Sequence, residues 1–148
     1  MSTDSIQKEE KVAIGAVEHI SLPDLGIKNI PVRVDTGARR SALHAANIRL
    51  KKIDGKRIVS FNVVTGERGN FCTHEASAEL KQIRRFTSSN GGVTTRPMIL
   101  TTFQLGEYVW KSQVSLIDRS SLRYRMLLGR MSIKNRFLVD VSSTFLMD

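Results

Sequence analysis

The stretch VRVDTGARRSALHA, residues 32–45, decides how the rest of the chain is read. Ile30, Val32 and Val34 recur at every second position with Arg33 between them. That is the period of a half-buried β-strand. Pro31 limits the segment to a strand end or an edge, because proline has no N–H for a ladder. The strand runs into Asp35-Thr36-Gly37. Gly37 can take backbone angles closed to other residues and lets backbone amides come close. Amide donors near a carboxylate stabilise its charged form. Asp and Gly are also ordinary turn residues. Read alone, the tripeptide fits either a fixed functional carboxylate or a turn at the end of a strand. Two cations, Arg39 and Arg40, follow it directly.

The flanking sequence has the same β character. KVAIGAVEHISL (11–22) is rich in small and β-branched residues. RIVSFNVV (57–64) and NFCTHEASAEL (70–80) flank TGERGN, which carries hairpin-turn residues. TRPMILTTFQL (95–105) and YVWKSQVSLI (108–117) flank the two-residue turn Gly106-Glu107. MLLG (126–129) reads as a short buried strand, RMSIKNRF (130–137) as one or two helical turns, and FLVDV (137–141) as a last strand. No long amphipathic helix and no 20–50-residue repeat is present. This pattern predicts an all-β sandwich or barrel. A length of 148 residues sets one domain as the default. Residues 1–10 read as a flexible polar tail and 11–148 as the domain.

Composition narrows the function classes. The net charge is +9, and residues 33–96 supply most of it, with thirteen Lys and Arg against five Asp and Glu. Such an excess fits an anionic partner or a solvated basic face. Nucleic acid is one such partner, but 6% aromatic residues leave little for base stacking, which disfavours it. The N-terminus has no cationic segment followed by an apolar run, and no stretch approaches 18 apolar residues. A cytoplasmic protein without a membrane span is expected. Cys72 is the one cysteine, which excludes an intrachain disulfide and fits a reducing compartment.

A second element bears on Asp35. MLLGR, residues 126–130, is an apolar run closed by Gly129 and Arg130. With VDTGARRSALHA, RPMILT and FLVDV, it makes the chain resemble, over roughly residues 12–146, a bacterial family of retropepsin-like aspartic proteases. That family is often labelled an ATP-dependent zinc protease and is associated with ATP-grasp ligases that add glutamates to a ribosomal protein. The chain has neither a GxxxxGK[ST] phosphate loop nor an HExxH pair, so no cofactor and no metal are expected. Cys72 and His74, with His19 or His44, form the one alternative metal set.

The resemblance implies a closed or partly open β-barrel with one short helix after the LLGR motif. It implies an aspartic peptidase whose catalytic loop is Asp35, Thr36 and Gly37. Such enzymes use two carboxylates that share a proton. With one Asp-Thr-Gly in the chain, the second aspartate is expected from Asp35 of another copy in a homodimer. Asp118 and Asp140 are the intrachain alternatives. The resemblance also places a flap on FTSSNGGVTT, residues 86–95, with Asn90, Gly91 and Gly92 at its tip, where an ordinary loop is the other reading. Residues 47–80 become an insertion holding an extra hairpin.

Viral retropepsins usually carry an acidic residue after Asp-Thr-Gly-Ala that pairs with the later arginine. Here Arg39 holds that place, so the pairing with Arg130 cannot form. Ala38, Arg39, Arg40, Arg84, Arg85, Arg96 and Arg130 are therefore candidate substrate-binding residues, together with the flap tip. Arginine forks suit carboxylates. The expected substrate is an acidic peptide or glutamate-rich protein tail, and the alternative is that the arginines serve solubility alone. A non-catalytic retropepsin-like module for dimerisation or anionic-partner binding is the competing function. His44 is read either as lining the cleft or as a satisfied core histidine, and Phe103 and Trp110 as core.

Overall fold

Alternating burial along Val17–Leu22 and most of Ile27–Val34 gives these strands one face toward the core, while the strand Ser41–His44 is buried along its whole length. The computed structural model describes residues 11–148 apart from 68, 88 and 119–122. The expected tail, 1–10, lies outside the described residues. The strands are β1 (Val12–Gly15), β2 (Val17–Leu22), β3 (Ile27–Val34), β4 (Ser41–His44), β5 (Ala46–Ile53), β6 (Lys56–Glu67), β7 (Asn70–Thr87), β8 (Val93–Leu105), β9 (Tyr108–Ile117), β10 (Met126–Leu128) and β11 (Phe137–Asp140). A 3-10 turn covers Pro23–Leu25, and helix α1 covers Arg130–Ile133.

Six strands, in the order β2-β3-β10-β4-β9-β8, form a closed mixed barrel, and the pairing of Ser21 with Gln104 joins β8 back to β2. β10 runs parallel to β3 and antiparallel to β4, and β4 runs parallel to β9. The all-β barrel and the short helix after the LLGR motif are as expected. Ile30, Val32 and Val34 point inward, with Val32 fully buried, while Pro31 and Arg33 are exposed. Pro31 sits opposite His19 of β2, one residue before the stretch of β3 that also pairs with β10. Its missing N–H therefore breaks no bond to β10.

β7 belongs to two sheets. Its first half pairs with β6 and its second half with β8, with a register shift between Leu80 and Gln82. β5, β6 and the first half of β7 make an antiparallel extension beyond the barrel, within the region expected to hold an extra hairpin. Val59, Phe61 and Val63 bury its inner face against the core. Phe103 is buried, and Trp110 packs against the same core with its ring edge toward Phe103.

β1 and β11 form a separate parallel pair. It is tied to the barrel through one buried carboxylate. Glu18, fully buried on β2, accepts hydrogen bonds from the N–H groups of Gly15 (2.6 Å), Leu146 (2.9 Å) and Met147 (3.1 Å). The Ala16 N–H donates to the Ser143 carbonyl at 2.7 Å, and a side chain at Gly15 would overlap that same carbonyl. Asp140, at the end of β11, accepts from the Ser142 N–H and from the hydroxyls of Ser142 and Ser143.

Two outcomes follow from these carboxylates. Glu18→Ala leaves three amides without their acceptor and should cost about 3 kcal/mol in urea unfolding, with Glu18→Gln recovering part of it. The hydrogen bonds from Ser142, then Ser143, hold the Asp140 carboxyl below its ordinary 3.8. Their stabilisation is full above that ordinary value and is lost as pH falls through the lower folded one. Asp140→Asn should therefore flatten the decline in urea midpoint between about pH 5 and pH 2 relative to the native chain.

Candidate active site

Asp35 leaves the end of β3 where that strand lies parallel to β10, in register Val34 with Leu128. Its N–H donates to the Leu128 carbonyl at 2.9 Å. Two bonds close the loop on itself: the Gly37 N–H donates to Asp35 Oδ1 at 2.9 Å, and the Ala38 N–H to the Asp35 carbonyl at 3.2 Å. The carboxylate is thus held by an amide while the residue stays half-buried, with Thr36 and Gly37 exposed beside it. A lone turn would satisfy only its own backbone. This one is also bonded to the second motif.

That second motif grips the loop from the other side. The Arg130 guanidinium donates from Nη1 to the Thr36 carbonyl at 2.9 Å. The N–H groups of Arg130 and Met131 donate to the carbonyls of Ala38 (2.8 Å) and Arg39 (2.9 Å). The first amides of α1, which have no partner inside a helix, are thus satisfied by the aspartate loop. Gly129 touches the Arg40 backbone so closely that an added methyl would overlap it. The Gly129 N–H donates to Ser41 Oγ at 3.0 Å. Ser41 and Ser112 each lie 2.6 Å from the Ser132 hydroxyl, so a buried serine relay links β4, β9 and α1. Nothing periodic in the sequence marks these three serines, and they were not among the expected site residues.

The arginines divide between two clefts. Arg39, Arg40, Arg84 and Arg96, with Ala38 and Ser115, line one of about 240 Å3 whose lining contains no acidic residue. Arg84 of β7 and Arg96 of β8 are directly opposed. The Arg40 Nη1 donates to Gln113 Oε1 at 3.0 Å, a partner the motifs did not suggest. Burial, then the charges of Arg84 and Arg39, push the Arg40 guanidinium below its ordinary value. It is a cation held among cations. Thr36, Arg39 and Arg130 line a second cleft of about 390 Å3 with Met131 and Ile133. Arg85 pairs with Thr95 and, by strand alternation, faces away from Arg84 and Arg96. Segment 86–95 closes the β7–β8 hairpin, with Thr87 opposite Val93 and residue 88 outside the described residues. At its turn Gly91 has φ 86°, and the Gly92 N–H donates to Asn90 Oδ1 at 3.2 Å.

The alternative metal ligands are scattered. His74 bonds Thr65 at 2.9 Å, His19 meets the Asp148 carboxylate at 3.0 Å and stacks on Phe145, Cys72 is exposed, and His44 is buried on β4. Among the described residues no three candidate ligands come together. Asp140 is paired with Gly15 in the β1–β11 ladder, and Asp118 lies exposed after β9.

Residues 13–148 match a family model described as RimB-like, retropepsin-like aspartic endopeptidase RimB. The chain belongs to the RimB-like family. It is also 38% identical over 137 residues to a "Probable alpha-L-glutamate ligase" of Shewanella halifaxensis, covering 93% of this chain and 30% of that protein. A protein of the same name from Desulfotalea psychrophila is 35% identical over 130 residues, 88% of this chain and 28% of its own length. The RimB-like chain therefore spans under a third of the curated relatives it matches. A crystal structure of a Legionella pneumophila protein of unknown function superposes with a TM-score of 0.76 at 28% identity, covering 94% of this chain and 100% of that one.

The contact between Gly129 and Arg40 gives a direct test of how the two motifs of this RimB-like chain are joined. Gly129→Ala must push the aspartate loop off α1, and thermal or urea unfolding should register a loss of about 3 kcal/mol.

Proposed function

We propose that this RimB-like chain is an aspartic peptidase in which Asp35 activates water against a peptide bond in an acidic, glutamate-rich segment. The observation that carries this reading is the Asp35 carboxylate, fixed by the Gly37 N–H on a loop that Leu128 and Arg130 hold from behind. A preorganised carboxylate at an accessible rim is what general-base chemistry needs. In the proposed step, one ionised carboxylate takes a proton from water as the water oxygen attacks the carbonyl carbon. A second, protonated carboxylate donates to the carbonyl oxygen. Collapse of the tetrahedral species breaks the C–N bond, and the departing nitrogen takes up a proton. The second carboxylate is Asp35 of another copy, since the chain contains one Asp-Thr-Gly. Hairpin 86–95 serves as the flap.

Two features support the acidic substrate. The cleft next to the aspartate loop is lined by Arg39, Arg40, Arg84 and Arg96, and guanidinium forks pair with carboxylates. The relatives named as glutamate ligases carry a segment like this chain within a longer protein. A peptidase-like segment and a glutamate-joining activity in one polypeptide suit the same glutamate-rich chain. The competing reading is a binding module without catalysis, in which Asp35 stays unpaired in a monomer.

Oligo-glutamate peptides incubated with the native chain and read by mass spectrometry separate the two. The native chain should hydrolyse them, the rate should fall as salt is added, and Asp35→Asn should lower it by roughly a thousandfold while peptide binding persists. Sedimentation should show a dimer. An unchanged rate in Asp35→Asn, or binding without hydrolysis by the native dimer, would sink the peptidase reading.

A further inference from the structure

Residues 49–57 carry five cations, Arg49, Lys51, Lys52, Lys56 and Arg57, against Asp54 alone. They lie on the β5–β6 hairpin, outside the site described above. The turn is Asp54-Gly55, with φ of 52° and 78°. Two left-handed residues in succession make a tight two-residue turn whose twist matches the flanking strands. The tip is accordingly a defined ribbon rather than a loose loop.

That ribbon stands free of the third strand. β7 registers with β6 from Ile58 onward and then passes to β8 at Leu80. Nearer the turn, the paired residues are Lys52 with Arg57 and Ile53 with Lys56, within β5 and β6. Residues 51–57 are all exposed, and Leu50 and Ile53 are each 52% exposed. Side chains alternate across a strand. Lys52 and Arg57 therefore share one face of the ribbon, and Lys51 and Lys56 share the other.

This distribution has a cost that edge protection does not explain. Lysines along a free edge discourage pairing with another chain. That role does not require Lys52 and Arg57 to stand directly opposite each other, where like charges repel. An anionic ligand relieves the repulsion. A flat acidic surface would meet one face of the ribbon and leave the other face's cations in water. A groove walled by phosphates on both sides meets both. The major groove of a B-form duplex, about 12 Å wide, admits a two-stranded ribbon. Residues 46–60 contain no aromatic side chain, so the tip lacks the stacking platform used for single strands.

We propose that the β5–β6 tip is a docking element for B-form double-stranded DNA, contacting phosphates on both walls of the major groove through Lys51, Lys52, Lys56 and Arg57. It is separate from the arginine cleft beside Asp35, and its success or failure is independent of the peptidase reading.

Fluorescence anisotropy with a short DNA duplex and an RNA duplex of the same sequence tests it, with oligo-glutamate as a third probe. The native chain should bind the DNA duplex in preference to the RNA duplex, whose major groove is too deep and narrow for the ribbon. Four phosphate contacts predict a fall of roughly a hundredfold in affinity between about 50 and 200 mM salt. Replacing Lys51, Lys52, Lys56 and Arg57 together by alanine should weaken duplex binding at least about thirtyfold at low salt and remove most of that salt dependence. Replacing Lys11, Lys28, Lys111 and Arg123 removes equal charge elsewhere and should change affinity less than about threefold. The hairpin variant should melt no lower than the native chain, because an opposed like-charge pair is gone. Equal losses in the two variants, no binding of the DNA duplex, tighter binding of the RNA duplex, or hairpin-dependent binding of oligo-glutamate in place of duplex would overturn the proposal. A lowered melting point would overturn the reading of Lys52 and Arg57 as a repulsive pair.

Discussion

The parallel pairing of β3 with β10 is the constraint on which the site depends. Three registered residues bring Val34 beside Leu128, and the chain then leaves both strands at once. From that point the Asp35 loop and the start of α1 complete each other's hydrogen bonds. The loop offers carbonyls at Thr36, Ala38 and Arg39, and the helix start offers the Arg130 side chain and two amides. Neither segment has enough local bonds to hold its shape alone. A parallel pair also requires a long connection, and here almost the whole remainder of the barrel lies between the two strands. The loop is thus positioned by closure of the barrel, and within it the Gly37 N–H holds the carboxylate.

Parts of this were legible in the sequence for physical reasons. Alternation in residues 30–34 marks a strand because one face is buried. The glycine of MLLGR is legible because no side chain fits between it and Arg40. β10 has only three residues, too few for a period, and was readable only through that glycine. The Ser41–Ser132–Ser112 relay was not readable, since isolated serines carry no periodic signal and their meeting is a product of tertiary closure. Residues 81–85 gave no separate strand signal, yet they continue β7 alongside β8. Four exposed positions and a half-buried Arg84, with three cations among the five, conceal a strand whose pairing, not its side chains, defines it. The grouping of Arg39, Arg40, Arg84 and Arg96 was half legible. Their nearness to the two motifs is a matter of sequence, but the separation of Arg85 from Arg84 depends on which face of β7 each occupies.

Charge is spent unevenly in this molecule. Among the described residues the one fully buried carboxylate, Glu18, accepts from three amides, so its desolvation is offset locally by hydrogen bonds. Arg40 has Gln113 as a neutral partner and two cations nearby. The first arrangement is self-sufficient and serves the fold. The second leaves a cation beside other cations at the wall of a cleft.

β7 gives the extension and the site a mechanical connection. One end of this strand carries Phe71, over which the Arg125 guanidinium sits at 5.4 Å, two positions before Leu127 in β10. The other end carries Arg84 into the cleft and runs on into the 86–95 hairpin. A strand shared by two sheets cannot shear in one without dragging the other. A load applied to the extension is therefore passed along β7, across the register shift at Leu80–Gln82, to Arg84 at the cleft wall.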